Sequence, residues 1–231
     1  MESVVVLTGG GIKGAVAAGR YAPDHDVLLV HADFGQPSAR AEAMAVQSLS
    51  ATWPHCRCVK VKLTHALEPE RVIAESDQGC GVVSTVNPIV PSPGALRGVL
   101  PILLSIGLQN ALCKGARTIV TGLSRFCPAE HLGLTETQRT SPQFHELLQT
   151  FDVFAEILSH ASQRVRVEAP LMELGEVDIV KLGHRLNVPF VATHSCHGGA
   201  AGACGRCHGC MRRTATFVGA GLLDPALAIA Q

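Results

Sequence analysis

Ser3-Val4-Val5-Val6-Leu7-Thr8-Gly9-Gly10-Gly11-Ile12-Lys13-Gly14 decides the fold. A β-branched apolar run breaks at three glycines, and a helix-compatible stretch follows from Ile12 to about Tyr21. Strand, tight turn and helix in that order make the opening of a parallel α/β unit. The turn suits an anion. Small residues expose backbone N–H groups, and the helix N-terminus adds partial positive charge. Thr8, Gly9, Gly10, Gly11, Ile12, Lys13 and Gly14 are therefore candidate binding residues. The loop is neither a Walker A sequence nor a G-x-G-x-x-G loop with an acid about 20 residues on. A turn that merely connects two elements is the competing reading.

The alternation continues outward from this unit. Asp26–His31 reads as a second strand, and Ser38 can cap a helix running to about Thr52. Cys56–Leu63 reads as a third strand, a long apolar helix spans Val99–Lys114, and Thr118–Thr121 is a fourth strand. Val165–Glu168 is a short fifth, and Gly175–Leu186 is helical. Continuous apolar strands each followed by a helix predict a parallel sheet covered on both faces, a Rossmann-like three-layer α/β sandwich. Residues 66–98, with Pro69, Pro88, Pro91 and Pro93, form a long irregular loop and candidate lid; 124–142 form a second.

The chain has 231 residues, 47% of them hydrophobic, enough for one large core built from Val, Leu, Ile and Ala. Nineteen Lys and Arg balance nineteen Asp and Glu, which argues against nucleic-acid or anionic-membrane surfaces as partners. No signal peptide precedes the first strand, and no apolar stretch reaches the ~18 residues of a membrane span. Nine cysteines, an odd number, fit a reducing cytoplasm better than a secreted disulfide scaffold.

Four of those cysteines, Cys196, Cys204, Cys207 and Cys210, are separated by seven, two and two residues. The short gaps let consecutive thiolates turn back onto one tetrahedral Zn²⁺, which four thiolates would close to any substrate. Ordinary buried cysteines or two disulfides are the other reading, against which stands the Gly-, His- and Arg-rich run between them. The expected domains are a nucleotide-binding unit over 1–190 and a small zinc-binding lobe over 191–231, parts of one globule. A last short helix closes the chain.

Taken in order, these pieces resemble the 7-cyano-7-deazaguanine (preQ0) synthase family of queuosine biosynthesis, within the PP-loop ATP pyrophosphatases, an adenine nucleotide alpha-hydrolase-like fold. Gly9–Gly14 occupies the place of the family's S-G-G-x-D-S, and Asp33-Phe34-Gly35-Gln36 that of D-Y-G-Q. Gly115–Gly122 resembles the run through the fourth core strand. The closest match runs from Val167 to Leu174 and on through Ile179–Gly183 and Val188-Pro189 to Thr193–Cys196, with the four cysteines completing it.

The departures fall on the site. In that alignment Gly9, Lys13 and Gly14 stand where the family has Ser, Asp and Ser, so the PP-loop is degenerate. Pro37 and Ser38 replace polar and basic residues, Val99-Leu100 falls near an expected Arg-Asn pair, and Arg139 aligns with the Asp of P-D-C-R-P-E-F. The Lys of the family's S-K-x-E-I-V is Glu176.

The resemblance implies an ATP-dependent ligase. It adenylates 7-carboxy-7-deazaguanine, with Mg²⁺ accompanying the nucleotide, and converts the product with ammonia to an amide and then a nitrile. Lys13 and Asp33 are the implied catalytic residues, Gly122 joins the nucleotide loop, and a homodimer is expected. The alternative is a catalytically inactive paralogue that binds a nucleotide or a protein. His31, His194 and His197 invite a catalytic or metal reading, and Arg206, Arg212 and Arg213 are expected to offset the charge of a zinc–thiolate centre.

Overall fold

The computed structural model describes residues 1–63, 99–124, 149, 151–153, 155–156, 164–197 and 202–226. The expected loop at 66–98, the second from residue 125 onward, and the run 138–144 lie outside the described residues.

Five strands, β1 (Glu2–Leu7), β2 (His25–Asp33), β3 (Cys56–Lys62), β4 (Thr118–Thr121) and β5 (Arg166–Glu168), form one sheet in the order β3-β2-β1-β4-β5. Every neighbouring pair is parallel. The helices are α1 (Ile12–Gly19), α2 (Ala39–Thr52), α3 (Val99–Lys114), α4 (Glu176–Arg185) and α5 (His208–Ala220), with a 3₁₀ turn at Phe190–Ala192.

Strand alternation splits the core in two. Val4, Val6, Leu29 and Val120 pack with Val16, Leu49, Ile179 and Phe217 on one face of the sheet. Val5, Val30 and Ile119 pack with Leu104, Leu108 and Ala111 of α3 on the other. Val4, Val5 and Val6 are 1%, 0% and 0% exposed, so the apolar run quoted first is the centre of the three-layer sandwich. Each such side chain stabilises the fold by about 1.5–3 kcal/mol. The edge strand β3 instead alternates, and Arg57, Lys60 and Lys62 blunt its open side.

The chain runs β1 to β2 to β3 on one side of β1, then crosses to β4 on the other. Between the C-terminal ends of β1 and β4 this reversal leaves a crevice, where ligands of such sheets bind.

Two details differ from expectation. Ser38 stands at the N-cap position of α2, but its hydroxyl donates to Glu42 Oε1 at 2.5 Å and no backbone N–H is capped. The last helix begins inside the cysteine run: Cys207 caps α5 and Cys210 lies in its first turn. No described helix is long and apolar enough to cross a membrane.

Candidate functional site

A cavity of about 440 Å³ opens at the crevice. Thr8, Gly9, Gly11, Ile12, Lys13 and Gly14 line one wall, and Gly122 lines the cavity beside them. Gly10 does not line it. Its φ of +73° turns the chain away, and a Cβ there would lie 2.8 Å from Ala45 Cβ and from the Glu42 carbonyl oxygen. The Gly122 backbone nestles against the start of α1, where a Cβ would lie 2.9 Å from Gly14 N. Gly11 caps α1 in extended conformation with no side chain over its first turn, so the turn's N–H groups face the cavity end of the helix.

Thr8 follows β1 directly, and its hydroxyl accepts a 3.0 Å hydrogen bond from Gly10 N–H across the turn. This favours reading S-G-G-x-D-S one residue earlier, over Thr8–Lys13. Thr8 then keeps the first hydroxyl, Ile12 stands at the carboxylate and Lys13 at the second hydroxyl. In either register the loop gains an ammonium.

That ammonium is held across the cavity. Lys13 Nζ lies 3.1 Å from Glu176 Oε1, in the first turn of α4. The Arg212 guanidinium on α5 donates to the same oxygen, and the Thr216 hydroxyl donates to Oε2 at 3.4 Å. Arg212 thus lines the cavity. The sequence carries no mark of this, because its partner is 36 residues away on another helix. Arg213 points elsewhere. It is buried, donates to both Asp224 oxygens at 2.6 and 2.8 Å, and holds Thr193 Oγ1 at 2.7 Å and the Phe190 carbonyl at 3.0 Å. This clasp keeps residues 193–196 beside the loop, where His194 N–H donates to the Gly10 carbonyl.

Asp33, the other expected catalytic residue, lies at the C-terminal end of β2. It ends β2 behind the cavity wall formed by Ala32 and Phe34, with Lys60 Nζ at 2.6 Å and Gly35 N–H at 3.1 Å on its carboxylate. Burial pushes this carboxyl up, but the Lys60 ammonium and the Gly35 N–H outweigh it and hold it below the ordinary carboxylate value. His31 does line the cavity. Its imidazole is buried, neither ring nitrogen has a hydrogen-bond partner among the described residues, and Glu42 Oε2 stands 3.9 Å from Nδ1. His194 Nε2 pairs with the Cys196 carbonyl at 2.8 Å.

Behind His197 and His208, the sulfurs of Cys196, Cys204, Cys207 and Cys210 all lie within 4.8 Å of one another. Cys196–Cys207 and Cys204–Cys210 are 3.9 and 4.0 Å apart. One ion ~2.3 Å from each of four tetrahedral sulfurs requires separations of about 3.8 Å, so the set fits a single metal. A four-iron cluster, with one cysteine on each iron, spreads its sulfurs more widely. Backbone N–H groups of Arg206 and Cys207 pull the Cys204 thiol down to about 6, whereas burial pushes Cys210 up to about 12. Burial also opposes ionisation of Cys207, but the His197 and Cys210 N–H groups bring it below its ordinary value. Because Cys196, His197, His208 and Gly209 also line the cavity, the metal lobe forms one of its walls.

Known proteins match this arrangement along its length. A 7-cyano-7-deazaguanine synthase of Methanothermobacter thermautotrophicus is 27% identical over 240 aligned positions, covering 97% of this chain and 98% of that protein. One from Stutzerimonas stutzeri is 28% identical, covering 97% and 96%. Among solved structures, the U34-tRNA thiolase NcsA from Methanococcus maripaludis with its [4Fe-4S] cluster shares the fold, at a TM-score of 0.50 and 13% identity. The match covers 84% of this chain and 58% of that one. The family described as Queuosine biosynthesis protein QueC matches residues 2–221, and the chain belongs to it.

Proposed function

We propose that this chain is a 7-cyano-7-deazaguanine synthase that activates 7-carboxy-7-deazaguanine with ATP. The observation that carries the reading is the cavity at the β1/β4 switch point, where the Thr8–Gly14 turn, the start of α1 and two cations converge. A carboxylate is a poor electrophile. Its oxygen attacks the α-phosphorus of ATP, the bond to the bridging oxygen breaks, and pyrophosphate leaves with the electron pair and Mg²⁺. Ammonia then displaces AMP from the acyl carbon to give the amide; a second ATP adenylates the amide oxygen with release of pyrophosphate, and that oxygen leaves as AMP while the nitrogen loses two protons, giving the nitrile. The protein's share is positioning and charge stabilisation. Backbone N–H groups of the turn and Lys13 hold phosphate oxygens, and Gly122 lets the β4 loop close on them. Asp33 shapes the turn under the Phe34 wall.

The four thiolates hold Zn²⁺ in a closed, structural site. We place the protein in the cytoplasm, where its thiols stay reduced. It acts as a homodimer, for which exposed Met211 and Val218, seven residues apart on α5, offer an apolar face. The test is the purified chain with ATP, Mg²⁺, ammonium and the deazaguanine carboxylate. AMP and pyrophosphate should form with the nitrile. Release no greater than that of Lys13→Ala would refute the reading for this substrate.

A further inference from the structure

His31 lines the cavity with its side chain 2% exposed, so bulk water does not satisfy it, and neither ring nitrogen has a hydrogen-bond partner among the described residues. A buried polar group left in that state costs free energy, and in a native protein it calls for a role. β2 delivers the imidazole to the foot of the anion-binding turn: Thr8 N–H donates to the Val30 carbonyl at 3.0 Å, so the turn leaves the sheet beside His31. Glu42 stands at the same place. A Cβ on Gly9 would lie 3.6 Å from Glu42 Oε2, and that oxygen is 3.9 Å from His31 Nδ1. The Gln36 amide donates to Oε2 at 2.8 Å and the Ser38 hydroxyl to Oε1 at 2.5 Å, which holds the carboxylate in position. A carboxylate facing Nδ1 favours the tautomer with the proton on that nitrogen, and the lone pair is then on Nε2. Two other proton acceptors that line the cavity are committed elsewhere: Glu176 to Lys13 and Arg212, and His194 Nε2 to the Cys196 carbonyl.

We infer that His31 is the general base for the nitrogen that replaces the carboxylate oxygen, with Glu42 as its positioning residue. The turn fixes where the phosphorus chemistry takes place, so a base at its foot faces the reacting carbon rather than the remote side of a purine-like substrate. Attack of ammonia on the acyl adenylate forms a C–N bond and leaves a positively charged nitrogen. The Nε2 lone pair takes one proton from it, the carbonyl re-forms, and the bond to AMP breaks with its electron pair. After the amide oxygen is adenylated by a second ATP, the same nitrogen gives up two protons in turn to Nε2. The carbon–nitrogen triple bond forms as AMP leaves. Between transfers the imidazolium, facing the Glu42 carboxylate, returns its proton to water. An imidazole suits this task because it exchanges protons near neutral pH. The inference rests on the adenylating reading for these intermediates.

The test separates adenylation from amide formation in the full chain. Adenylation is read as exchange of labelled pyrophosphate into ATP that depends on the deazaguanine carboxylate; amide formation is read with ammonia. H31Q should slow amide formation at least roughly a hundredfold, the scale of a lost general base, while exchange falls far less. Hydroxylamine supplies the control. It is a less basic amine, so its adduct sheds a proton to water more readily, and H31Q should raise the ratio of hydroxamate to amide formation. Equal losses of exchange and amide formation in folded H31Q, or an unchanged ratio between the two amines, would overturn the assignment while the adenylating reading stands. No exchange by the unsubstituted chain would overturn both. Circular dichroism establishes folding. Should H31Q not fold, E42Q carries the same test, since it keeps the size of the side chain and removes its charge. It should raise the hydroxamate-to-amide ratio by a smaller factor, and an unchanged ratio would overturn the pairing of His31 with Glu42.

Discussion

Arg213 is the residue on which most of the site's backbone hangs. Its guanidinium is 5% exposed and surrounded by acceptors from Asp224, Thr193, Ser195 and Phe190. Truncation leaves the Asp224 carboxylate buried and unpaired, so Arg213→Ala should cost about 3–5 kcal/mol in chemical denaturation. Asp26 makes the opposite case. Lys114 Nζ at 2.9 Å is the main cause that holds its carboxyl below the ordinary value, against the pull of burial. A depressed carboxyl stabilises the fold above its unfolded value of about 3.9, and that contribution is lost as pH falls through the folded value. Asp26→Asn should therefore lower stability at pH 7 by about 1 kcal/mol or less, and the gap should close below about pH 4 in parallel melts. Neither residue announces itself in the sequence. Arg213 looks like any basic residue near a cysteine cluster, and the buried imidazole of His31, with no hydrogen-bond partner among the described residues, is one histidine among eleven. Burial and partners at this range depend on how helices pack, which local pattern does not encode.

The elements themselves were far more legible. Apolar runs, glycine breaks and 3.6-residue periodicity are local, so β1 to β5 and α1 to α4 fall within a residue or two of expectation. The exception is α5, which starts within the cysteine run because the Cys207 thiol accepts from Cys210 N–H as an N-cap. A metal on those sulfurs therefore also anchors a helix. Cys207→Ser, or chelation, should reduce bound metal from about one ion per chain, cut far-ultraviolet helical signal and lower the melting temperature together. The turns make a sharper claim. Gly10→Ala forces an alanine to φ +73° and onto Ala45, and should cost about 1–3 kcal/mol. Gly122→Ala should instead push the β4 loop off the start of α1 and weaken pyrophosphate binding with little change in melting temperature, because it wedges open a ligand wall rather than the core.

At the scale of the whole molecule, the cavity joins the two ends of the chain's described course. Its first wall is Thr8, Gly9 and Gly11–Gly14; the other walls include Glu176, residues 194–197, His208, Gly209 and Arg212. Spacing alone revealed the cysteine site, because its four ligands lie within fifteen residues, Cys196–Cys210. The pairing of Lys13 with Glu176, 163 positions away, needed the sheet, α4 and α5 in place. If the metal wall supports the ligand, chelated protein should bind pyrophosphate more weakly than metal-loaded protein of the same concentration; equal binding would show the lobe to be a bystander. The Arg213–Asp224 clasp carries a consequence for synthesis. The nascent chain can pair β1, β2 and β3 early, yet it cannot fasten residues 193–196 along the loop until Asp224 has cleared the ribosomal tunnel. A nascent chain stalled before that point would thus display the sheet with residues 193–196 not yet fastened beside the Thr8–Gly14 turn.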